Sequence, residues 1–178
     1  AVTGAHAMIN AIWVKLHVET NPEGISLFIN SGGDEYVASP ITWERDLSAT
    51  PHETLDRSYP TYATGSTAAS NVANATSAPS QVLGTYRFTL NAATTIRYEI
   101  PVPSSGTYDI ELYFARKNAD TFVSGDRRFN IIIEGQTVTT YDVYDEGGAN
   151  GTAASSYPYS ATVSDGILEI KFVAVSGA

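Results

Sequence analysis

The 178-residue chain carries 43% apolar residues, enough to bury one core without staples. Its formal net charge of −9 argues against nucleic acid as a partner, because tracking phosphates needs clustered Lys and Arg. The absence of cysteine excludes disulfides, thiolate metal sites and a Cys nucleophile, and no stretch approaches the roughly 20 apolar residues that cross a bilayer, so no membrane insertion is expected.

In chain order, residues 9–18 place Ile12, Val14, Leu16 and Val18 on one side of an extended segment and Trp13, Lys15 and His17 on the other, which reads as a strand. Pro22 and Gly24 punctuate the next turn, and a second strand starts at Ile25. From 31 to 80 regular periodicity fades into Gly, Pro, Ser, Thr, Ala and Asn, with Tyr36, Trp43, Tyr59 and Tyr62 recurring. Long loops with interspersed aromatics inside a compact domain point to binding loops with short strands embedded.

The second half alternates cleanly. Ile96, Tyr98, Ile100 and Val102 precede a Gly106-containing turn and the run Tyr108, Ile110, Leu112, Phe114, which predicts a pair of strands joined by a turn. Residues 129–133 and 138–144 flank Glu134-Gly135-Gln136, and residues 161–163 and 168–175 flank Asp165-Gly166, as two further such units. No long helix is expected. Many short strands with turn signals between them predict an all-β fold, a two-sheet antiparallel β-sandwich of jelly-roll-like form, as a single domain over 1–178.

Several segments carry a family resemblance: Ile29-Asn30-Ser31-Gly32-Gly33, Thr42-Trp43-Glu44-Arg45-Asp46, Thr85-Tyr86-Arg87-Phe88, Tyr98-Glu99-Ile100-Pro101-Val102, Gly106-Thr107-Tyr108, Leu112-Tyr113-Phe114-Ala115 and Arg128-Phe129-Asn130-Ile131. In this order and spacing the chain resembles the malectin-like carbohydrate-binding domains. Residues 4–14 are similar to the family's closing strand, although they precede the opening strand at 27–33. The resemblance therefore implies that residues 1–18 supply the family's C-terminal strand, through circular permutation or excision from a tandem array, and residues 172–178 run naturally into residues 1–14 if joined.

The resemblance implies non-catalytic binding of a glycan, such as a glucose-containing oligosaccharide, through aromatics on loops at one end of the sandwich. Carried over by position, the first ligand tyrosine falls near Tyr59 or Tyr62 and the second aromatic on Phe88. The family's adjacent aromatic pair falls on Asn118 and Ala119 and its ligand aspartate on Ala5, a departure that leaves Phe122 to replace the pair and Asp120 or His6 to supply a polar partner.

The residues themselves fit sugar chemistry, which needs flat apolar faces for pyranose C–H groups and fixed hydrogen-bonding groups for hydroxyls. The chain holds 11 Tyr and 2 Trp. Tyr36, Trp43, Tyr59, Tyr62, Tyr157 and Tyr159 lie in loop-like surroundings, with Asp34, Glu44, Asp46, Asp120 and Arg116 as hydroxyl partners; Trp43 fits a ligand platform or the core equally well. Tyr98, Tyr108 and Tyr141 follow strand periodicity and are expected to pack. Asp142, Asp145 and Glu146 beside Gly147 do not match an EF-hand spacing, so a solvated acidic turn is expected and no metal or other cofactor. Carboxylate pairs such as Glu44 with Asp46 or Glu53 with Asp56 are the nearest thing to acid–base machinery, and no nucleophile elbow or metalloprotease motif accompanies them, so no enzyme activity is expected. The expected setting is a bacterial multidomain protein, extracellular or on the cell surface, whose neighbouring domains are partners on the same polypeptide. The competing reading is a structural or adhesive repeat module without a glycan ligand.

Overall fold

The computed structural model describes residues 7–16, 26–46, 60–64, 78–89, 95–115, 123–146 and 154–175, with backbone alone at 60–64. A six-stranded sheet runs in the order β12 (Ser155–Val163), β9 (Gly106–Phe114), β2 (Ala11–Leu16), β3 (Ser26–Ser31), β5 (Ile41–Asp46) and β4 (Tyr36–Ala38). A four-stranded sheet runs β11 (Gln136–Asp142), β10 (Arg128–Ile133), β13 (Ile167–Ala174) and β8 (Thr95–Pro101). A short third sheet joins β1 (Met8–Ile9), β7 (Thr85–Thr89) and β6 (Pro60–Thr64). Among the described residues the β3–β5 ladder is parallel and the other ladders are antiparallel. Helix is confined there to two single turns, α1 (Ser80–Leu83) and α2 (Val143–Glu146).

Period-two alternation builds the sandwich. Ile12 and Val14 of β2 and Tyr108, Ile110, Leu112 and Phe114 of β9 face the same core as Tyr98 and Ile100 of β8, Phe129 and Ile131 of β10, and Leu168, Ile170 and Phe172 of β13. Phe114 meets Phe129 and Phe172 across the sheets at ring distances of 5.6 and 6.2 Å. As expected from their spacing, Tyr98, Tyr108 and Tyr141 are buried. Burial pushes the Tyr141 phenol well above its ordinary pKa, while its hydroxyl donates to Ser155 Oγ at 2.6 Å.

Strand pairing departs from the sequence expectation in two of three units. The β10–β11 pair is a true hairpin whose two-residue turn holds Glu134 at φ 51° and Gly135 at φ 74°, the left-handed pair that matches strand twist. By contrast β8 pairs with β13, and β9 pairs with β12 and β2, so both the 102–105 and the 164–166 connections cross from one sheet to the other. Alternation fixes which residues face the core and says nothing about the partner. The two crossings are tied together, Val102 N donating to Gly166 O at 2.9 Å and Ser105 Oγ to Ser164 O at 3.1 Å.

Within 31–80 the described residues include the short strands β4, β5 and β6, as expected of strands embedded in this stretch. Its first turn is sterically required: Gly32 sits at φ 72°, and a Cβ there would lie 2.5 Å from Tyr86 O.

Candidate functional site

The small sheet of β1, β7 and β6 carries two of the expected ligand residues, Tyr62 on β6 and Phe88 on β7. Its organising residue is Asn10, fully buried between β1 and β2. Its Nδ2 donates to Leu83 O at 2.9 Å and Thr85 O at 2.8 Å, and its Oδ1 accepts from Ala115 N at 2.7 Å. Its backbone adds Asn10 N to Tyr113 O and Ser31 N to Asn10 O, both at 3.0 Å. One side chain thus joins α1, β7 and the end of β9, leaving none of its amide groups stranded.

Beside it, Arg87 and Asp46 form an ion pair at 2.7 Å with both side chains fully buried. Arg87 Nη2 also donates to Asp46 O at 2.8 Å, while Asp46 Oδ2 accepts from Tyr98 Oη at 2.6 Å and Gly32 N at 3.2 Å. The guanidinium lies 5.8 Å from the Tyr98 ring centre. A buried pair survives when further hydrogen bonds offset the lost water, and here Gly32, just after β3, and Tyr98 on β8 both bond the Asp46 carboxylate. Asp46 is therefore structural, which corrects its expected role as a sugar-hydroxyl partner and removes the Glu44–Asp46 pair as acid–base machinery.

Phe88 stands on this scaffold. It is half-buried, pairs across β7–β1 with Met8, and tilts against Tyr86 at 5.5 Å. The backbone register sets Tyr62 opposite Arg87 and Thr61 opposite Phe88, so the Tyr62 and Phe88 positions lie one register step apart on adjacent strands and fall on opposite faces of the small sheet. Both flanks of the 116–122 segment are anchored here, Ala115 through Asn10, and Arg127 through an Nη1 contact of 3.2 Å to Met8 Sδ. Tyr59, Asp120 and Phe122, with Ala5, His6, Arg116, Asn118 and Ala119, lie outside the described residues.

Trp43 requires a correction. Its ring is 1% exposed, packed edge-on against Phe28 at 5.1 Å and Tyr113 at 5.8 Å, with Ala78, Val82 and Leu83 in the same cluster, so it offers no face to a ligand. Tyr36, Tyr157 and Tyr159 likewise stand on strands rather than loops. The acidic turn is absorbed locally: Asp142 accepts from Gly125 N at 2.6 Å and Tyr144 N at 2.9 Å, and Asp145 from Ser124 Oγ at 2.9 Å. Among the described residues no three metal-ligating side chains cluster, and no helix is long and apolar enough to cross a membrane.

The sequence reading missed Asn10 and Arg87. Neither is buried for its own hydrophobicity; the signal available was an Asn interrupting an apolar run and an Arg between two aromatics, which becomes meaningful only once the partners are known.

These features define an all-β, two-sheet sandwich with a small accessory sheet at one end. The malectin domain family model matches residues 25–178, and the chain belongs to that family of carbohydrate-binding domains, which are typically extracellular. Strands β1 and β2 precede the match, yet β2 lies between β9 and β3. Among solved structures the chain is similar to the Bacteroides uniformis β-glucuronidase, with a TM-score of 0.54 and 15% identity over 99% of this chain and 26% of that one. That likeness shows the fold, and the chain spans about a quarter of the enzyme's length. No curated protein sequence matches the chain.

Proposed function

We propose that the chain is a non-catalytic carbohydrate-binding module of an extracellular or cell-surface bacterial multidomain protein. It recognises a glycan at the end of the sandwich where β1, β6 and β7 meet. The observation that carries this reading is the malectin match over 25–178. Support comes from the half-buried Phe88 on the β7 ladder, with Tyr62 on the neighbouring β6 strand and Ala115 bonded to Asn10 just before residue 116. In this reading Tyr59, Tyr62, Phe88 and Phe122 supply stacking faces and Asp120 a hydroxyl partner, on a glucose-containing oligosaccharide. Residues 1–178 form one domain, and residues 1–18 supply the strand that closes the fold. The occurrence of a similar fold within a β-glucuronidase chain fits a module carried beside other domains.

A glycan-array screen followed by titration calorimetry tests this. A hit that weakens about tenfold or more in Phe88→Ala or Tyr62→Ala, with the melting temperature held, supports the loop-end site. Normal binding by both variants displaces the site. No hit across glucose-, galactose- and mannose-based ligands favours a structural or adhesive module.

A further inference from the structure

The six-stranded sheet also has an outer face. Strand register sets Pro158 opposite Glu111, Glu111 opposite Trp13, and Trp13 opposite Phe28, a row that crosses four strands on one face. On the β3–β5 side this face is closed over Trp43 by Ala78, Val82 and Leu83. On the β12 side it opens into a groove of about 600 Å³ along β9, lined by Trp13, Asp109, Glu111, Pro158 and Ser160.

We propose that this groove is a second carbohydrate-binding site, which takes a neutral pyranose stacked on Trp13 with hydroxyls bonded to Glu111 and Asp109. The proposal rests on the reading of the chain as a glycan-binding module. The indole is held by Phe28, stacked at 6.0 Å and 15° between planes, so little freedom is lost when a sugar ring docks. Tyr113 Oη donates to Glu111 Oε2 at 2.8 Å, whereas Glu111 Oε1 accepts no hydrogen bond among the described residues. Ser160 Oγ donates to Asp109 Oδ1 at 2.6 Å, fixing that carboxylate beside the groove. Ionised carboxylates accept only, which suits hydroxyl donors. Two of them in a protein of formal charge −9 disfavour uronates and sulfated sugars. The volume lies within the roughly 300–1,000 Å³ of small-molecule sites, and the contacting groups stand on interior strands of a sheet rather than on loops.

The chain has two tryptophans, so a ¹⁵N-labelled sample gives two indole N–H resonances, assigned with Trp13→Phe. Titration with malto-, cello- and laminari-oligosaccharides is expected to shift the Trp13 resonance saturably for at least one series. Glu111→Ala should weaken that binding roughly tenfold or more in protein that is still folded, and Phe88→Ala should leave it intact. Asp109→Ala is the second variant if Glu111→Ala unfolds. A static Trp13 resonance, while array hits respond to Phe88→Ala, overturns the groove and leaves the loop-end reading standing; a static resonance with no array hit overturns both. Loss of the Trp13 shift in Phe88→Ala, or equal binding of oligogalacturonides, also overturns the groove.

Discussion

The two faces of the six-stranded sheet are made by the same strands and have opposite fates. The inner face, with Ile12, Val14, Ile110, Leu112 and Phe114, is sealed by the four-stranded sheet. The outer face, with Trp13, Phe28, Trp43 and Tyr113, is covered over Trp43 and open beside Trp13. Aliphatic positions are spent on cohesion, whereas the aromatic row passes from core to surface without a change of residue class. A tryptophan's role is therefore set by what lies over it: Trp43 is closed in, and Trp13 forms a groove wall.

Substitutions sharpen the contrast. Phe114→Ala, which removes a ring packed against Phe129, Tyr141 and Phe172, is expected to cost about 4 kcal/mol in urea unfolding. Asp46→Ala strands the buried Arg87 charge and is expected to cost about 3 kcal/mol, whereas a double change of Asp46 and Arg87 to well-packed apolar residues should recover much of that loss. Trp13→Ala should cost about 2 kcal/mol, less than Phe114→Ala because part of the ring already contacts water. A loss as large as that of Phe114→Ala would make both faces equally structural.

The smallest effect belongs to the solvent side of the four-stranded sheet. Hydrogen bonding from Lys171 at 2.7 Å, and then from Arg97, holds the Glu169 carboxyl below its ordinary range. A depressed folded pKa means that this stabilisation is present above the unfolded value of roughly 4.3 and is lost as pH falls through the folded value. Glu169→Gln should therefore lower stability by about 0.5 kcal/mol at neutral pH and by nothing once wild-type Glu169 is protonated, as read from denaturation at several pH values.

Strands and their facing were legible because a period of two leaves a direct trace: Tyr108 through Phe114 and Leu168 through Phe172 point where alternation puts them. Partners were not, since a Gly-containing turn serves a hairpin at 134–135 and a sheet crossing at 164–166 equally well. The malectin resemblance, carried by the 29–33 turn and the strands from 98 onward, agrees with the family match. The site was less legible. Trp43 and Asp46 have the right chemistry for sugar, and long-range packing that no local window contains buries them both. Trp13 read only as the outward side of an alternating strand, and the groove needed the registers of β2, β9 and β12 together.

Asn10 and Ala115 are bonded across 105 residues of chain, and β2 borrows one of its two neighbours from the same distance. At a synthesis rate of about 5–20 residues per second, β2 waits on the order of ten seconds for β9 to emerge, with the edge that β9 will take still unpaired. Its β3 partner arrives early, so a lone hairpin displays Ile12 and Trp13 meanwhile. Such a ladder closes late, so the unpaired edge of β2 is open to nascent-chain association over that interval.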